Sequence, residues 1–165
     1  MNLRNSGSIS ILALLLLLVG CDKSVLFSES VSFDDTWPLD QPAVFDLPQL
    51  ESDRTYNLFL DVRNTNDYPF SNLFLIVSMD FPNGKVITDT LEYRMANPDG
   101  SWLGKGIGTV KDNKLWYKEQ IQFTETGTYR LSVAHAVRNN NRVQGVSQLA
   151  GISDVGYSIE EAIPE

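Results

Sequence analysis

The chain has 165 residues, with 13 basic and 21 acidic side chains, a formal charge of −8 and a single cysteine. That balance excludes a general attraction for nucleic acid or anionic lipid headgroups. One thiol excludes an intramolecular disulfide, so stability has to come from a core.

The first element is a leader. Arg4 and the amino terminus make a short positive region, and Ile9 to Val19 is almost wholly apolar. The uninterrupted run Ile11–Val19 is nine residues, whereas a membrane-crossing helix needs roughly 20. It therefore reads as the apolar region of a signal peptide. Leu18-Val19-Gly20-Cys21 follows with the spacing of a lipobox. Diacylglycerol attaches to the Cys21 thiol, small Gly20 fits the peptidase at the scissile bond, and the new α-amine is then open to acylation. Residues 1–20 are expected to be removed, which takes away Arg4 and leaves 12 basic against 21 acidic residues, or −9. The 145 remaining residues suffice for one domain and are few for two. Anchoring then comes from acyl chains on Cys21, at about 0.8 kcal/mol per buried CH₂.

Residues 21–30 read as a lipidated tether and 31–165 as one domain, with no repeat or linker dividing it. From there apolar residues alternate with period two between turn residues, which signals β-strands. Short strands are expected at Val31–Phe33 and Ala43–Leu47. In Tyr56–Val62 the even positions are the more apolar. Leu73, Leu75, Val77, Met79 and Phe81 form one face of the next strand, and Phe74 and Ile76 make its other face partly apolar, as in a central strand. Phe81-Pro82-Asn83-Gly84-Lys85 contains an Asn-Gly hairpin signal, and Val86–Tyr93 returns as a strand. Asn97-Pro98-Asp99-Gly100 is a second turn, and Gly104, Gly106 and Gly108 mark a loop or bulged edge. Strands follow at Leu115–Phe123 and Thr128–Val137. A helical turn is expected near Gln144–Ala150, then a last strand at Gly151–Ile159. About eight short strands predict an all-β fold, a single antiparallel β-sandwich.

Few residues offer chemistry. His135, the one histidine, shares a face with Leu131 and Val133 and is expected at the core edge, bonded to a backbone carbonyl. With Cys21 lipidated, a His/Cys metal site lacks ligands. No Gly-x-Ser-x-Gly elbow, Walker loop, dinucleotide fingerprint or basic aromatic strip occurs. The expectation is no catalytic residue, no metal and no cofactor. Asp89 lies between Ile87 and Leu91, and Glu119 between Tyr117 and Ile121, each on an otherwise apolar face. A buried carboxylate must be paired or have its pKa raised. Either one is a site candidate, weighed against simple pairing with Arg94, Lys118 or a backbone amide. Asp61–Asp67 looks superficially like a calcium loop, but Arg63, Thr65 and Asn66 occupy its third, fifth and sixth positions. It reads as a solvated turn. Trp102 and Trp116, with Tyr93 and Tyr117, offer an aromatic platform for a sugar or a protein groove, or else core packing.

Several segments together resemble the gliding-motility lipoprotein family GldH of the Bacteroidetes. They are Asn64–Leu73, Phe81–Gly84 running into Thr88–Tyr93, Asp99–Gly106, Lys111–Glu119, Gly127–Tyr129 and Gly151–Gly156, in order and together with the lipobox. The resemblance implies a non-enzymatic envelope lipoprotein, supporting gliding motility and the associated type IX secretion machinery by protein–protein contact. The implied location is the outer membrane, facing the periplasm. The implied partners are the membrane, through Cys21, and other gliding-motility or secretion proteins of the envelope, with no nucleic acid. The family carries no catalytic residues over, and Trp102, Trp116 and Lys105 remain as a candidate partner surface. The competing reading from the aromatic cluster and Asp89 or Glu119 is a lipid-anchored carbohydrate-binding or glycan-acting module.

Overall fold

Alternation of apolar and polar residues builds this fold strand by strand. The computed structural model describes residues 25–139 and 144–163; the expectations for the leader and for Cys21 lie outside the described residues. The strands are β1 Val25–Ser32, β2 Thr36–Pro38, β3 Ala43–Asp46, β4 Tyr56–Asn64, β5 Asn72–Asp80, β6 Val86–Arg94, β7 Lys111–Ile121, β8 Arg130–His135, β9 Gln148–Ala150 and β10 Ile152–Glu161. All their pairings are antiparallel. Eight strands make two four-stranded sheets, β1-β10-β4-β7 and β3-β8-β5-β6, and β2 pairs with β9 in a small ribbon. The all-β sandwich is present, with the ribbon as an addition.

The inner faces are those the alternation marks. Leu58, Leu60 and Val62 of β4 meet Leu73, Leu75 and Val77 of β5, with Leu131, Val133, Val155 and Ile159, in one buried cluster. Phe45 of the second sheet packs edge-on against Tyr157 of the first at 5.2 Å. Burying each large aliphatic side chain contributes about 1.5–3 kcal/mol.

Two local expectations need correction. β1 starts at Val25 rather than Val31, so most of the expected tether is paired strand, in register from Phe27↔Ile159 to Ser32↔Asp154 after a slip at Val25↔Glu160. An edge strand buries little, and Ser28, Ser30 and Ser32 hide its alternation. Gln148–Ala150 is a strand and not a helical turn, because Leu149 pairs with Trp37 and both are fully buried. β5 is central as expected, between β8 and β6, yet Ile76 is 39% exposed because its second face is the outside of the sandwich.

Strand directions define two ends. One carries Val25, the β3–β4 link, the Asn83-Gly84 turn and the end of β10. The other carries the β2–β9 ribbon, the β4–β5 turn and the long β6–β7 connection. Trp37 closes this second end: it is fully buried, its Nε1 donates to Gln41 O at 2.9 Å, and it stacks on Phe33. Gly151 ties the loops here. Its N–H donates to Asp35 O and its carbonyl accepts from Thr65 N–H. Its φ is +77°, and a Cβ would overlap the backbone of Tyr68, so only glycine fits.

Candidate interaction surface

The outward positions of the first sheet follow from register. β4 turns Phe59, Asp61 and Arg63 away from the core. Opposite them stand Trp116, Lys114 and Asp112 of β7, and Ser158, Gly156 and Asp154 of β10. The pairing puts opposite charges side by side. Arg63 Nε lies 2.7 Å from Asp112 Oδ1, and its Nη1 lies 3.5 Å from Asp154 Oδ2. Lys114 Nζ reaches Glu160 Oε1 at 2.5 Å and sits over the Phe59 ring at 4.3 Å. Ser32 Oγ and Ser153 Oγ both donate to Asp154. Burial raises the Asp61 carboxyl above its usual range, against the opposing pull of Ser158 and Lys114.

Asp61, Arg63, Asp112, Lys114 and Asp154 floor a groove of about 780 Å³, walled on one side by Ser28–Ser30 and on the other by Leu103–Lys105 and Arg94. The groove is lined by four carboxylates (Glu29, Asp61, Asp112, Asp154) and four cations (Arg63, Arg94, Lys105, Lys114), so its charges balance. The face is ionic at one side and aromatic at the other: Trp116 lies against Phe59 with centroids 4.3 Å apart and remains 51% exposed, while Phe59 beneath it is buried.

Lys105 exchanges backbone hydrogen bonds with Asp112, adding a residue beyond β7 at the rim. Gly104 allows this approach, since a Cβ there would stand 2.6 Å from Asn113 Oδ1. Asn113 is buried and donates to Asn64 Oδ1 and Val62 O. The glycine loop is folded back on Lys111, whose Nζ donates to Gly106 O and Gly108 O, and it presents Ile107 fully to solvent.

Lys105 and Trp116 thus belong to the first sheet's outer side, and Trp102 does not. Trp102 is half-buried at the sandwich end, 6.2 Å from the Tyr68 ring, with Nε1 donating to Asn66 Oδ1 at 3.0 Å. Tyr93 and Tyr117 pack partly into the core. They join the free edges of the two sheets instead of extending a platform. Tyr93 Oη donates to Trp116 O at 2.5 Å, and Tyr117 Oη donates to Asp89 Oδ2 at 3.1 Å.

Asp89 has its partner in Lys118, at 2.8 Å. That hydrogen bond holds its carboxyl below the usual range, while burial pushes up the Tyr117 phenol. Glu119 is exposed, contrary to the apolar-face expectation. The cause is a bulge: the register slips between Phe59↔Trp116 and Leu58↔Lys118, which puts Lys118 in the inward phase and Glu119 in the outward one, and a second slip, with Gln120 at φ +48°, follows before Tyr56↔Ile121. Asp61–Asp67 is the end of β4 and a turn, in which Tyr68 N–H donates to Thr65 O. Among the described residues, no three His, Cys, Asp or Glu side chains are placed to hold a metal. His135 is buried at the core edge, with Nε2 bonded to Trp37 O at 3.1 Å, as its position implies.

The ion-pair ladder has a signal in the sequence: Asp61-x-Arg63 and Asp112-x-Lys114 are paired opposite charges at period two. Only the β4–β7 register shows that they face one another.

A β-sandwich with a polar, part-aromatic outer sheet, behind a lipobox, defines a class: membrane-anchored lipoproteins of the cell envelope. Residues 25–159 match the family described as GldH lipoprotein. The chain is 47% identical over 148 residues to "Gliding motility lipoprotein GldH homolog" of Christiangramia forsetii, covering 90% of this chain and 91% of that protein. It is 45% identical over 161 residues to "Gliding motility lipoprotein GldH" of Flavobacterium johnsoniae, covering 98% and 99%. The chain belongs to the GldH lipoprotein family. The names of these relatives support a role in gliding motility. Among solved structures, a chain from "Structure of infectious bursal disease virus Gx strain" overlaps 88% of this chain and 44% of its own, at a TM-score of 0.23 and 11% identity, too low to bear on fold or function.

Proposed function

We propose that this lipoprotein supports gliding motility and the associated type IX secretion machinery without catalysis, by holding another envelope protein against the outer face of its first sheet. In this reading Cys21 carries the lipid, and the domain faces the periplasm from the outer membrane. The observation that carries the contact role is Trp116. It is a large indole held against Phe59 at a tilt of 48°, half open to solvent, beside a ladder of ion pairs and Lys105. Interfaces concentrate their energy in such anchors, often 2–4 kcal/mol each, with charged rims that steer and select. The placement of Trp102 on Tyr68, apart from the Phe59–Trp116 stack, supports this reading over a two-ring sugar platform.

The test is complementation of a Flavobacterium johnsoniae strain lacking its own 45% identical relative. Trp116→Ala and Lys105→Glu should reach the envelope at normal abundance and fail to restore colony spreading. Trp102→Ala should act otherwise, losing about 2–4 kcal/mol of stability and lowering abundance. Normal spreading by the Trp116 and Lys105 variants would overturn the assigned surface. Loss of spreading by an Asp89→Asn variant that reaches the envelope at normal abundance and still captures its protein partner would overturn the contact mechanism.

A further inference from the structure

The position of β1 bears on how the sandwich sits on its membrane. Only Asp22, Lys23 and Ser24 separate Cys21 from the first residue of the sheet. Four residue steps span at most about 14 Å when fully extended, so the Val25 end of the sandwich is confined to that distance from the anchored residue. At this same corner three large apolar side chains are open to solvent: Leu26 at 45%, Phe27 at 41% and Ile163 at 87%. Their exposure has local causes. Leu26 sits where the β1–β10 register slips between Val25 and Phe27. Phe27 is on an edge strand, and Ile163 lies two residues past β10, which ends opposite Tyr56.

We infer that Leu26, Phe27 and Ile163 form a bilayer-contact patch that seats the Val25 end of the sandwich in the lipid interface beside the acyl anchor. The inference rests on the Cys21 anchor argued above. Apolar and aromatic side chains held at the headgroup boundary bury area there in addition to the acyl chains. Flanking charge selects the lipid. Glu161 and Glu51 share Arg54 as their cation, and Asp53 stands beside it, so this end is acidic and fits a zwitterionic surface. With one end seated, the strands rise from the membrane. β10, at ten residues, spans about 33 Å at the usual rise. The opposite end, with Trp102, Lys105 and Ile107, is then presented well clear of the headgroups.

The experiment uses the lipidated, processed protein in phosphatidylcholine–phosphatidylethanolamine vesicles. The sulfur of a lipidated Cys21 is already alkylated, so a single new thiol takes a polarity-sensitive dye selectively. Phe27→Cys, Ile163→Cys and Ile107→Cys are labelled in turn, with Leu26→Cys as a second reporter should Phe27→Cys fold poorly. The expected result is blue-shifted emission, quenched by brominated lipid tails, at positions 26, 27 and 163, and water-like, unquenched emission at 107. Added anionic lipid should weaken the quenching, and salt should restore it. Protein that floats with the vesicles while labels at 26, 27 and 163 stay in water overturns the contact patch alone. Protein that does not float overturns the anchor, and the patch with it.

Discussion

At the residue scale the informative groups are those whose environment differs from their sequence neighbourhood. His135 is buried against Trp37, edge-on at 5.2 Å, and burial lowers its pKa below 6.5 despite the opposing bond to Trp37 O. The fold therefore favours the neutral ring. Its contribution to stability is whole above pH 6.5 and is lost as pH falls from there through the lower folded value. The thermal midpoint should decline over that window. His135→Gln, whose amide can still donate to Trp37 O, should flatten the decline. A decline indifferent to the substitution would mean that the ring titrates freely in the fold. Asp89 shows the opposite outcome for a suspicious residue. An inward carboxylate on a strand looks like a site until Lys118 and Tyr117 are seen to hold it, and it then reads as a clasp between sheet edges. Tyr93, pushed up to about 12 by burial and by Asp89, belongs to that clasp.

At the element scale the sandwich depends on a few backbone irregularities. The register slip between Trp116 and Lys118 of β7 turns Glu119 outward and lets Lys118 reach Asp89. Gly151 brings the β2, β4–β5 and β9–β10 connections to one point. Gly151→Ala should lose at least about 2 kcal/mol in urea unfolding, since the left-handed φ and the Tyr68 backbone both oppose a side chain. A loss below about 0.5 kcal/mol would show that this crossing yields easily. The edge strands behave differently from the central ones. β6 and β7 are edge strands of their sheets, with Lys105 paired to Asp112 beyond β7, and side chains bridge these edges where a fifth strand would otherwise pair.

At the scale of the whole molecule, stability rests on the core alone. The chain has one cysteine, and residues 22–165 retain every described strand. That body should give a β-rich far-UV spectrum and one cooperative thermal transition, unmoved by EDTA or reductant. Melting on chelation would make Asp61–Asp67 a metal loop, and a helical spectrum would refute the sandwich. The strands of both large sheets were legible because each buries one face, and burial of one face imposes period two on the sequence. The inward residues of β4 and β5 and the setting of His135 could be read the same way. The start of β1 buries little, and β2 and β9 have three residues each, too few to show a period, so neither could be. The partner surface was legible only as parts. Trp102 and Trp116 are both tryptophans near glycines in sequence, and nothing local says that one packs on Tyr68 and the other on Phe59. Asp61 and Lys114 meet because β4 pairs with β7 across some fifty residues. Such pairing is set by how two sheets close over a shared core, a property of the assembled chain that no local pattern of residues records.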